Sequence, residues 1–281
     1  MKEKRLKPLF KWSGGKRREL HHVDELKPDR FDKFCEPFVG GGAVWLNLEH
    51  RSNIVNDVNT DVINFYKMVK EHGADFIDDL NAIACEYKRL IENISPKDRE
   101  DFAPLAEIYY HWRDGEHSTN YELAKRFYVL RCLAFGGMLR YNASGKFNVP
   151  YGYYKTFKKI EWSDKYENTF QNTDFFNEDW EQAVSRVKQD DFVFLDPPYT
   201  RKFTKYDPKK DFGAEHHEEL AKWFSERHSK AMIILNKDDF TESLYEGFIA
   251  KEYDFSYSVR YRKDRLTKEG ATTKHFVAIN Y

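Results

Sequence analysis

The stretch "DFVFLDPPY" at 191–199 decides the fold of this chain. Its apolar run from Phe192 to Leu195 is typical of a strand that is buried on both faces of a parallel sheet. The strand must end there, because the two prolines that follow lack the N–H donors of a sheet ladder and have a fixed φ. Open α/β sheets bind ligands at the carboxyl ends of their strands, so Asp196 and Tyr199 are expected at a ligand site. The alternative is a turn whose aspartate caps the next helix.

Strand and helix signals surround this stretch in the alternating order of a doubly wound α/β fold. Residues 31–48 predict a strand, a glycine loop and a helix, and residues 52–70 predict a strand that ends near Asn56 and a helix. In that second helix the apolar residues recur at the spacing of a face packed on a sheet. Further strands are predicted at 192–195 and 230–236, and two closing strands, expected to be antiparallel, at 251–261 and 274–281.

The segment from about 72 to 170 interrupts this alternation. It is predicted to be helical around 75–92 and 121–135, and then aromatic and turn-rich up to about residue 159. We therefore expect an α/β domain with a mostly helical domain inserted into it. The predicted boundaries are 1–71 and 171–281 for the α/β domain and 72–170 for the insert.

The composition is that of a globular protein, with 33% charged, 41% apolar and 17% aromatic residues. No apolar run approaches the roughly 18 residues that a membrane-spanning helix needs, and the basic N-terminus lacks the apolar core of a signal peptide. Cys35, Cys85 and Cys132 do not have the spacing of metal ligands, which favours reduced thiols and no metal site. A cytoplasmic protein without a membrane partner is expected.

The formal net charge of −1 does not by itself indicate nucleic acid, but the charge is unevenly distributed. Residues 2–18 carry eight basic side chains and one acidic one, and residues 260–268 are similarly basic. Such segregation can form a basic cleft on a neutral protein. For either run alone, a solvated surface is the simpler interpretation.

A glycine loop, "EPFVGGG" at 36–42, follows the first predicted strand and opens a helix. Glycines let a backbone approach a ligand closely, and a helix N-terminus favours the polar or anionic groups of that ligand. The next acid at a strand end, Asp57, stands fifteen residues after Gly42, where a carboxylate can bind ribose hydroxyls. Together these features favour an adenosine-containing cofactor, whereas no phosphate cradle with a lysine and a Ser/Thr supports a nucleoside triphosphate.

The acid, the proline carbonyl and the aromatic ring after the strand suit a planar substrate that bears an amine. Asp196 and the Pro197 carbonyl would accept both hydrogens of an –NH₂ group, and Tyr199 would stack on the heterocycle. Holding both hydrogens turns the nitrogen lone pair toward an electrophile, so positioning and electrostatics would supply most of the catalysis. No nucleophilic cysteine, serine triad or metal is required.

Four motifs in order resemble the Dam-like DNA adenine methyltransferases. They are "FKWSGGKR" at 10–17, "EPFVGGG" at 36–42, "NDVN" at 56–59 and "DPPY" at 196–199, with "GKFNVPYGYYK" at 145–155 inside the insert. Their order is similar to that of the family's alpha group, and the resemblance covers essentially the whole chain. It implies a Rossmann-like methyltransferase sheet with a DNA-recognition insert, S-adenosyl-L-methionine as cofactor, and methyl transfer to N6 of adenine in double-stranded DNA.

The resemblance also implies roles around the cofactor. Trp12 would pack against S-adenosylmethionine, and Lys16 would lie near its reacting end. The alternative for Trp12 is a buried anchor, and the alternative for Lys16 is an exposed charge. Asp179 could instead be a helix N-cap. The other implied contacts are Glu36, Phe38 and Gly40 at the methionine end, Asp57 at the ribose, Asp179 at the adenine and Asp196 near the sulfonium.

The target adenine would be flipped out of the duplex into this pocket. Arg140 matches a family position that recognises a guanine edge, and Met138 would wedge into the base stack. The resemblance makes GATC one candidate recognition sequence, but this chain departs from the pattern at Gly136, where many members that methylate GATC have asparagine. The implied DNA contacts are Lys11, Met138, Arg140, Asn142, Pro150 and Tyr154, with Lys155, Lys158 and Lys159 at phosphates.

The resemblance leaves room for other functions. A methyltransferase of RNA or of protein glutamine could hold a planar base or amide in a similar pocket, but the insert with Arg140 argues against it. A DNA-binding homologue without catalysis is disfavoured by the intact DPPY and cofactor motifs. The expected protein is a monomer on DNA, and a restriction endonuclease that acts on the same site is a candidate partner.

Overall fold

The computed structural model describes residues 5–198, 212–256 and 272–281. A seven-stranded sheet forms its centre. Along the chain the strands are β1 (Phe34–Glu36), β2 (Asn53–Asn56), β3 (Thr173–Phe176), β4 (Phe192–Leu195), β5 (Lys230–Asn236), β6 (Ile249–Ser256) and β7 (Thr272–Ile279).

The strands lie side by side in the order β3-β2-β1-β4-β5-β7-β6. The first five strands pair in parallel, whereas β7 runs antiparallel to β5 and to β6. The strand order reverses between β1 and β4, which pair through Phe34 and Phe192. In an open α/β sheet this reversal opens a crevice at the carboxyl ends of the two strands, and ligands bind there.

Helices pack on the two faces of the sheet. Alternate residues of β4 enter two separate cores, with Phe192 and Phe194 on one side and Val193 and Leu195 on the other, because successive strand side chains point in opposite directions. The helices in the described residues are α1 (Leu20–Leu26), α2 (Trp45–Leu48), α3 (Thr60–Ile94), α4 (Ala103–Asp114), α5 (Asn120–Leu133), α6 (Asp164–Gln171), α7 (Trp180–Val184), α8 (Ala214–Ser225) and α9 (Asp239–Leu244).

Helix α3 joins the sheet to the predicted insert. It is 35 residues long and breaks at Gly73, whose φ of 50° and ψ of −126° are not helical. Its apolar face is buried on both sides of this break, and it packs against α4 and α5. The predicted domain boundary at 71/72 falls inside this helix, next to the break. After α5, antiparallel bridges pair Ala134 with Tyr151 and Tyr141 with Phe147.

The strands that the sequence predicted are present within the described residues, and β4 and β5 have the predicted bounds. Of the strand predicted at 251–261, residues 257–261 lie outside the described residues. The closing strands β6 and β7 are antiparallel, as predicted. The sequence pattern missed β3, because its four residues, "TDFF", include the exposed Asp174 and give only a weak apolar signal. The predicted helix at 75–92 is the second part of α3. None of the described helices is long and apolar enough to cross a membrane.

Asn56 links the ends of three strands, and its replacement is expected to destabilise the fold. Its side chain, 1% exposed, donates from Nδ2 to Pro37 O and Glu178 O and accepts at Oδ1 from Glu178 N, each at 3.0 Å. Asn56→Ala would leave these buried groups unpaired and should lower the free energy of unfolding by about 3 kcal/mol in urea titrations.

A matched control for this prediction is Asn64→Ala. The amide of Asn64 donates one bond, to Asn120 O at 2.8 Å, at the protein surface. Its loss is expected to cost about 1 kcal/mol or less. Equal effects of the two replacements would contradict the role given to Asn56.

Candidate active site

Three neighbouring strands carry acids at their carboxyl ends. Glu36 is the last residue of β1, and Asp57 and Asp196 directly follow β2 and β4. Because β2, β1 and β4 lie side by side in parallel, the three carboxylates share one edge of the sheet, at the reversal of strand order. The structure therefore brings together the acids that the sequence predicted for a single site.

Lys16 is bound to Asp196. Its Nζ lies 2.5 Å from Asp196 Oδ1 and 3.2 Å from Gly14 O. The lysine side chain is 2% exposed and that of Asp196 20%. Burial raises the pKa of Asp196 to about 6, although the charge and hydrogen bond of Lys16 act in the opposite direction. At neutral pH, Asp196 is therefore a carboxylate acceptor with a buried cation on one of its oxygens.

Glu36 is buried behind this pair. Its Oε2 accepts a hydrogen bond from Trp45 N, at the start of α2, over 2.8 Å. Burial raises the pKa of Glu36 well above its usual value, and the negative charges of Asp196 and Asp57 raise it further. A positive charge placed beside Glu36 would lower this pKa, so the site favours a cationic ligand.

Asp57 holds the glycine loop in place. Its Oδ2 accepts from Gly40 N over 2.8 Å, and its Oδ1 accepts from Asn59 N over 2.9 Å. Tyr66 donates its hydroxyl to Gly40 O over 2.9 Å from the opposite side. Burial raises the pKa of Asp57 to about 6 in spite of the two backbone bonds. Each carboxylate oxygen has a second lone pair, so Asp57 can still accept from hydroxyl groups.

Trp12 lies directly on the glycine loop. A Cβ added at Gly41 would lie 2.8 Å from Trp12 Cβ, and one added at Gly40 would overlap the indole. Gly40 also has a φ of 44°, which L residues with side chains rarely adopt. The loop needs glycine at these positions because the indole ring and the backbone are in contact.

Phe38 and Asp179 lie at the rim of the same edge. The half-buried ring of Phe38 packs edge-on against Phe212, with centroids 5.5 Å apart. Asp179 precedes α7, but its side chain makes no capping bond to that helix. The preceding residue, Glu178, is hydrogen-bonded to Asn56 at the end of β2, so Asp179 lies beside the strand that leads to Asp57.

The last part of the DPPY motif is only partly described. Pro197 is buried, and the carbonyl oxygen of Pro198 lies 3.0 Å from His217 Nε2. Tyr199, predicted to stack on the substrate, lies outside the described residues, as does the basic run at 260–268.

The predicted guanine reader, Arg140, is exposed at the start of a short hairpin. Two of its five N–H donors are bound to Asn148, from Nε to Oδ1 over 2.8 Å and from Nη2 to the backbone oxygen over 3.0 Å. Asn142 shapes the turn of this hairpin, because its Oδ1 accepts from Ser144 N and from Lys146 N. The guanidinium of Arg140 is therefore held in one orientation at the surface.

Lys11 and Tyr154 contact each other beside this hairpin. Lys11 Nζ lies 3.8 Å from the centre of the Tyr154 ring and donates to Cys132 O over 3.0 Å. Burial lowers the pKa of Lys11. Tyr154 donates its hydroxyl to Ala134 O over 3.2 Å. The contact between the two side chains joins the N-terminal segment to the insert.

Met138 and Pro150 belong to the same surface region through their backbone bonds. Pro150 O accepts from Phe135 N over 2.9 Å, and Met138 O accepts from the guanidinium of Arg131 over 3.4 Å. Phe135 itself is 51% exposed, more than any other large apolar side chain among the described residues. An exposed ring of this size beside the predicted base reader is a candidate base contact.

Sequence reasoning missed four residues that the geometry adds. Arg131 is buried and donates twice to Lys11 O, and its guanidinium carbon lies 5.1 Å from the Trp12 ring. No motif indicated these contacts, because they join segments that are far apart in sequence. Glu19, the acid in "GGKRRE", was the one sequence signal for a buried contact next to Lys16. The four residues are Glu19, Arg131, Phe135 and His275.

The sheet order and the crevice at its reversal define a Rossmann-like methyltransferase fold. The chain belongs to the D12 class N6 adenine-specific DNA methyltransferase family, and the model of that family matches residues 12–259. It is therefore an adenine-specific DNA methyltransferase, as the motifs predicted. The family implies that DNA is its substrate.

Three relatives show how far this similarity extends. The chain is 31% identical over 280 residues to the type II methyltransferase M.CviBI of Paramecium bursaria Chlorella virus NC1A, covering 98% of this chain and 100% of that one. It is 33% identical over 272 residues to M.MjaIII of Methanocaldococcus jannaschii, covering 88% and 90%. It is 30% identical over 261 residues to the DNA adenine methylase of Escherichia coli K12, covering 86% and 85%.

Asp57 is expected to make the stability of the protein depend on pH. Its pKa is about 6 in the folded state, against an ordinary value of 3.8. The folded state therefore takes up a proton at higher pH than the unfolded chain, and its stability gains as the pH falls from about 7 to about 5. Asp57→Asn should reduce this gain, measured as the difference between urea unfolding free energies at the two pH values.

The exposed Asp29 provides the control for this measurement. Asp29→Asn should keep the wild-type difference between the two pH values. A difference that is unchanged in Asp57→Asn would show that the carboxylate titrates as it does in the unfolded chain.

Proposed function

We propose that the protein transfers the methyl group of S-adenosyl-L-methionine to the exocyclic N6 amine of an adenine that is flipped out of duplex DNA. The observation that carries this proposal is the position of Asp196. It directly follows β4, beside the glycine loop of β1, and its Oδ1 is bound to Lys16. A carboxylate in that position can hold an amine at the place where a cofactor on the loop would present its methyl group.

The acids of the site suit this cofactor. Burial raises the pKa values of Glu36, Asp57 and Asp196, and the charges of the other two acids raise that of Glu36 further, so a cationic ligand would stabilise the ionised acids. S-adenosylmethionine carries a sulfonium, an ammonium and ribose hydroxyls, and when bound it supplies an activated methyl group. The residues proposed to hold it are Trp12, Lys16, Glu36, Phe38, Gly40, Asp57, Asp179 and Asp196.

Asp196 and Pro197 are proposed to hold the adenine amine. Lys16 occupies Oδ1 of Asp196, which leaves Oδ2 to accept one amine hydrogen while the Pro197 carbonyl accepts the other. This arrangement directs the nitrogen lone pair out of the ring system toward the methyl donor. An amine nitrogen that gains a methyl group becomes acidic, and Asp196 would be the carboxylate placed to accept the proton that the nitrogen loses. Tyr199 is proposed to stack on the extruded base.

The insert is proposed to read the DNA, with residues 72–170 as the recognition domain and 1–71 with 171–281 as the catalytic domain. The exposed ring of Phe135 and the neighbouring Met138 are suited to fill the space that a flipped base leaves. Arg140, fixed by Asn148, is suited to a guanine edge. The further proposed DNA contacts are Lys11, Asn142, Pro150 and Tyr154.

A recognition sequence, a partner and an oligomeric state are proposed as well. GATC is the first sequence to test, although Gly136 takes the place of an asparagine that the Dam-like pattern favours there. Two of the relatives are named type II methyltransferases, which supports a cognate restriction endonuclease as partner. Since each transfer concerns one base on one strand, a monomer on DNA is sufficient.

The central test is Asp196→Ala in a methyl-transfer assay. The wild type, with labelled S-adenosylmethionine and duplex DNA, should place label on N6-methyladenine in the nucleoside digest. Loss of the carboxylate should lower kcat by about a thousandfold or more, because the amine loses its acceptor in the transition state. Circular dichroism should show that the variant keeps its fold.

Asp238→Ala is the matched control, since Asp238 follows β5 at the same edge of the sheet but caps α9. It should reduce stability more than kcat. Label on RNA or on protein, with none on duplex DNA, would refute the proposed substrate. Label on cytosine would refute the proposed position of transfer.

Arg140→Ala should relax sequence discrimination at one position. Removing a bidentate contact to guanine is expected to reduce discrimination there by about 1–3 kcal/mol, measured as kcat/KM over duplexes that differ at single base pairs. Lys158→Ala, which removes an exposed charge, should instead weaken binding to all duplexes alike and reduce its salt dependence. If Arg140→Ala lowers kcat/KM equally on all duplexes, Arg140 contacts phosphate and not a base.

A further inference from the structure

A buried acid lies one helical turn after Lys16. Glu19 is 2% exposed, and its backbone N–H donates to Lys16 O over 2.9 Å. Lys16 itself lies in a three-residue 3₁₀ turn outside the sheet, so no strand ladder holds it against Asp196. The position of its ammonium therefore depends on what holds this turn.

Two strands from the far end of the sheet hold Glu19. His275, on β7 and fully buried, has its Nδ1 2.8 Å from Glu19 Oε1. Tyr253, on β6, donates its hydroxyl to the same oxygen over 2.5 Å. Beside them, Arg18 donates from Nη1 to Ser256 O, also over 2.5 Å. The side chains of the turn that carries Lys16 are thus fixed to the antiparallel pair β6 and β7.

The same sheet carries Asp196. His275 pairs with Asn236 at the end of β5, and β5 pairs with β4, which ends one residue before Asp196. Glu19 and Asp196 are therefore both fixed to the same sheet, and Lys16 is held between them. This arrangement differs from a surface salt bridge, in which long side chains move freely.

We propose that Glu19, held by His275 and Tyr253, is a positioning residue for methyl transfer that keeps the Lys16 ammonium against Asp196. Glu19 acts through Lys16 and has no contact with the substrate. The inference rests on the proposed function, because it concerns how Asp196 is prepared to accept the adenine amine.

The electrostatics around the cluster agree with this geometry. Burial acts to raise the pKa of Glu19, but the bonds from His275 and Tyr253 and the charge of Lys16 bring it below its usual value. For Asp196, the charge of Glu19 raises the pKa and that of His275 lowers it. The ionisable groups that face the cluster are Lys16, Arg18, His21 and His22 from its own segment, Tyr253 and Asp254 from β6, His275 from β7, Glu36 from β1 and Asp196 after β4.

The test uses two replacements that each keep a hydrogen-bonding group, one that removes the charge of Glu19 and one that replaces the His275 ring. In Glu19→Gln the amide oxygen can still accept from Tyr253 and His275, and in His275→Asn the side chain can still donate to Glu19. We expect kcat of Glu19→Gln to fall about tenfold or more, with the KM values for S-adenosylmethionine and DNA within about twofold of wild type. The neutral amide forms weaker bonds to Tyr253 and His275 and no longer attracts the Lys16 ammonium, so the turn is held less firmly.

The pH profile separates positioning from a merely structural role. The active form of Asp196 is the carboxylate, so activity falls as the pH drops through its pKa. In Glu19→Gln the Lys16 charge, which lowers the pKa of Asp196, is held less closely, so that pKa should rise and the acid limb of kcat should move to higher pH. Loss of the Glu19 charge alone would move the limb to lower pH. His275→Asn loosens the same turn and should move the limb in the same direction as Glu19→Gln. A limb that stays in place, or that moves to lower pH in Glu19→Gln, would overturn the proposal.

Controls come from an exposed pair of the same residue types. His228 Nε2 lies 2.9 Å from Glu226 Oε2 at the surface, and Glu226→Gln and His228→Asn should leave kcat and both limbs unchanged. Should Glu19→Gln fail to fold, Tyr253→Phe decides, since it removes one bond to Glu19 without changing any charge. It should lower kcat at an unchanged KM, and a wild-type kcat in that variant would overturn the proposal.

The outcomes also separate this inference from the proposed function. A wild-type enzyme without activity on duplex DNA would refute the proposed function, and the positioning role would fall with it. An active wild type, with Glu19→Gln at the wild-type rate and pH profile, would refute the positioning role alone.

Discussion

The ion pair between Lys16 and Asp196 is the constraint on which the rest of the site depends. A charge taken out of water is strongly unfavourable unless a partner compensates it, so each group of the pair lowers the cost of burying the other. The pair joins a turn near the N-terminus to the end of β4, 180 residues further along the chain. The crevice is therefore complete only when the N-terminal segment has docked on the sheet, and Glu36 then lies near a cation.

Much of the fold was predictable because its strands are buried and regular. The apolar runs of β4 and β5 and the glycine loop after β1 gave clear signals, and the DPPY motif marked where a strand had to end. β3 gave no such signal, because Asp174 faces solvent at the edge of the sheet, where a strand needs little apolar surface. The break at Gly73 was also invisible, since an isolated glycine inside a helical pattern has several interpretations.

The grouping of the three acids at one edge of the sheet was predictable, whereas their contacts were not. Motifs placed Glu36, Asp57 and Asp196 at strand ends, and parallel pairing then brought them together. Contacts between distant segments are a different matter, because no local pattern encodes them. The bonds from Arg131 to Lys11 and from His275 to Glu19 span 120 and 256 residues. Only the folded arrangement reveals which buried charges have partners.

The glycine loop is held from several directions by the protein itself. Asp57 binds Gly40 N, Tyr66 binds Gly40 O, and the indole of Trp12 lies on the neighbouring backbone. A wall that is already ordered loses little conformational entropy when a ligand arrives. We therefore expect a ligand on this wall to keep more of its contact energy as affinity, because little of that energy is spent on ordering the loop.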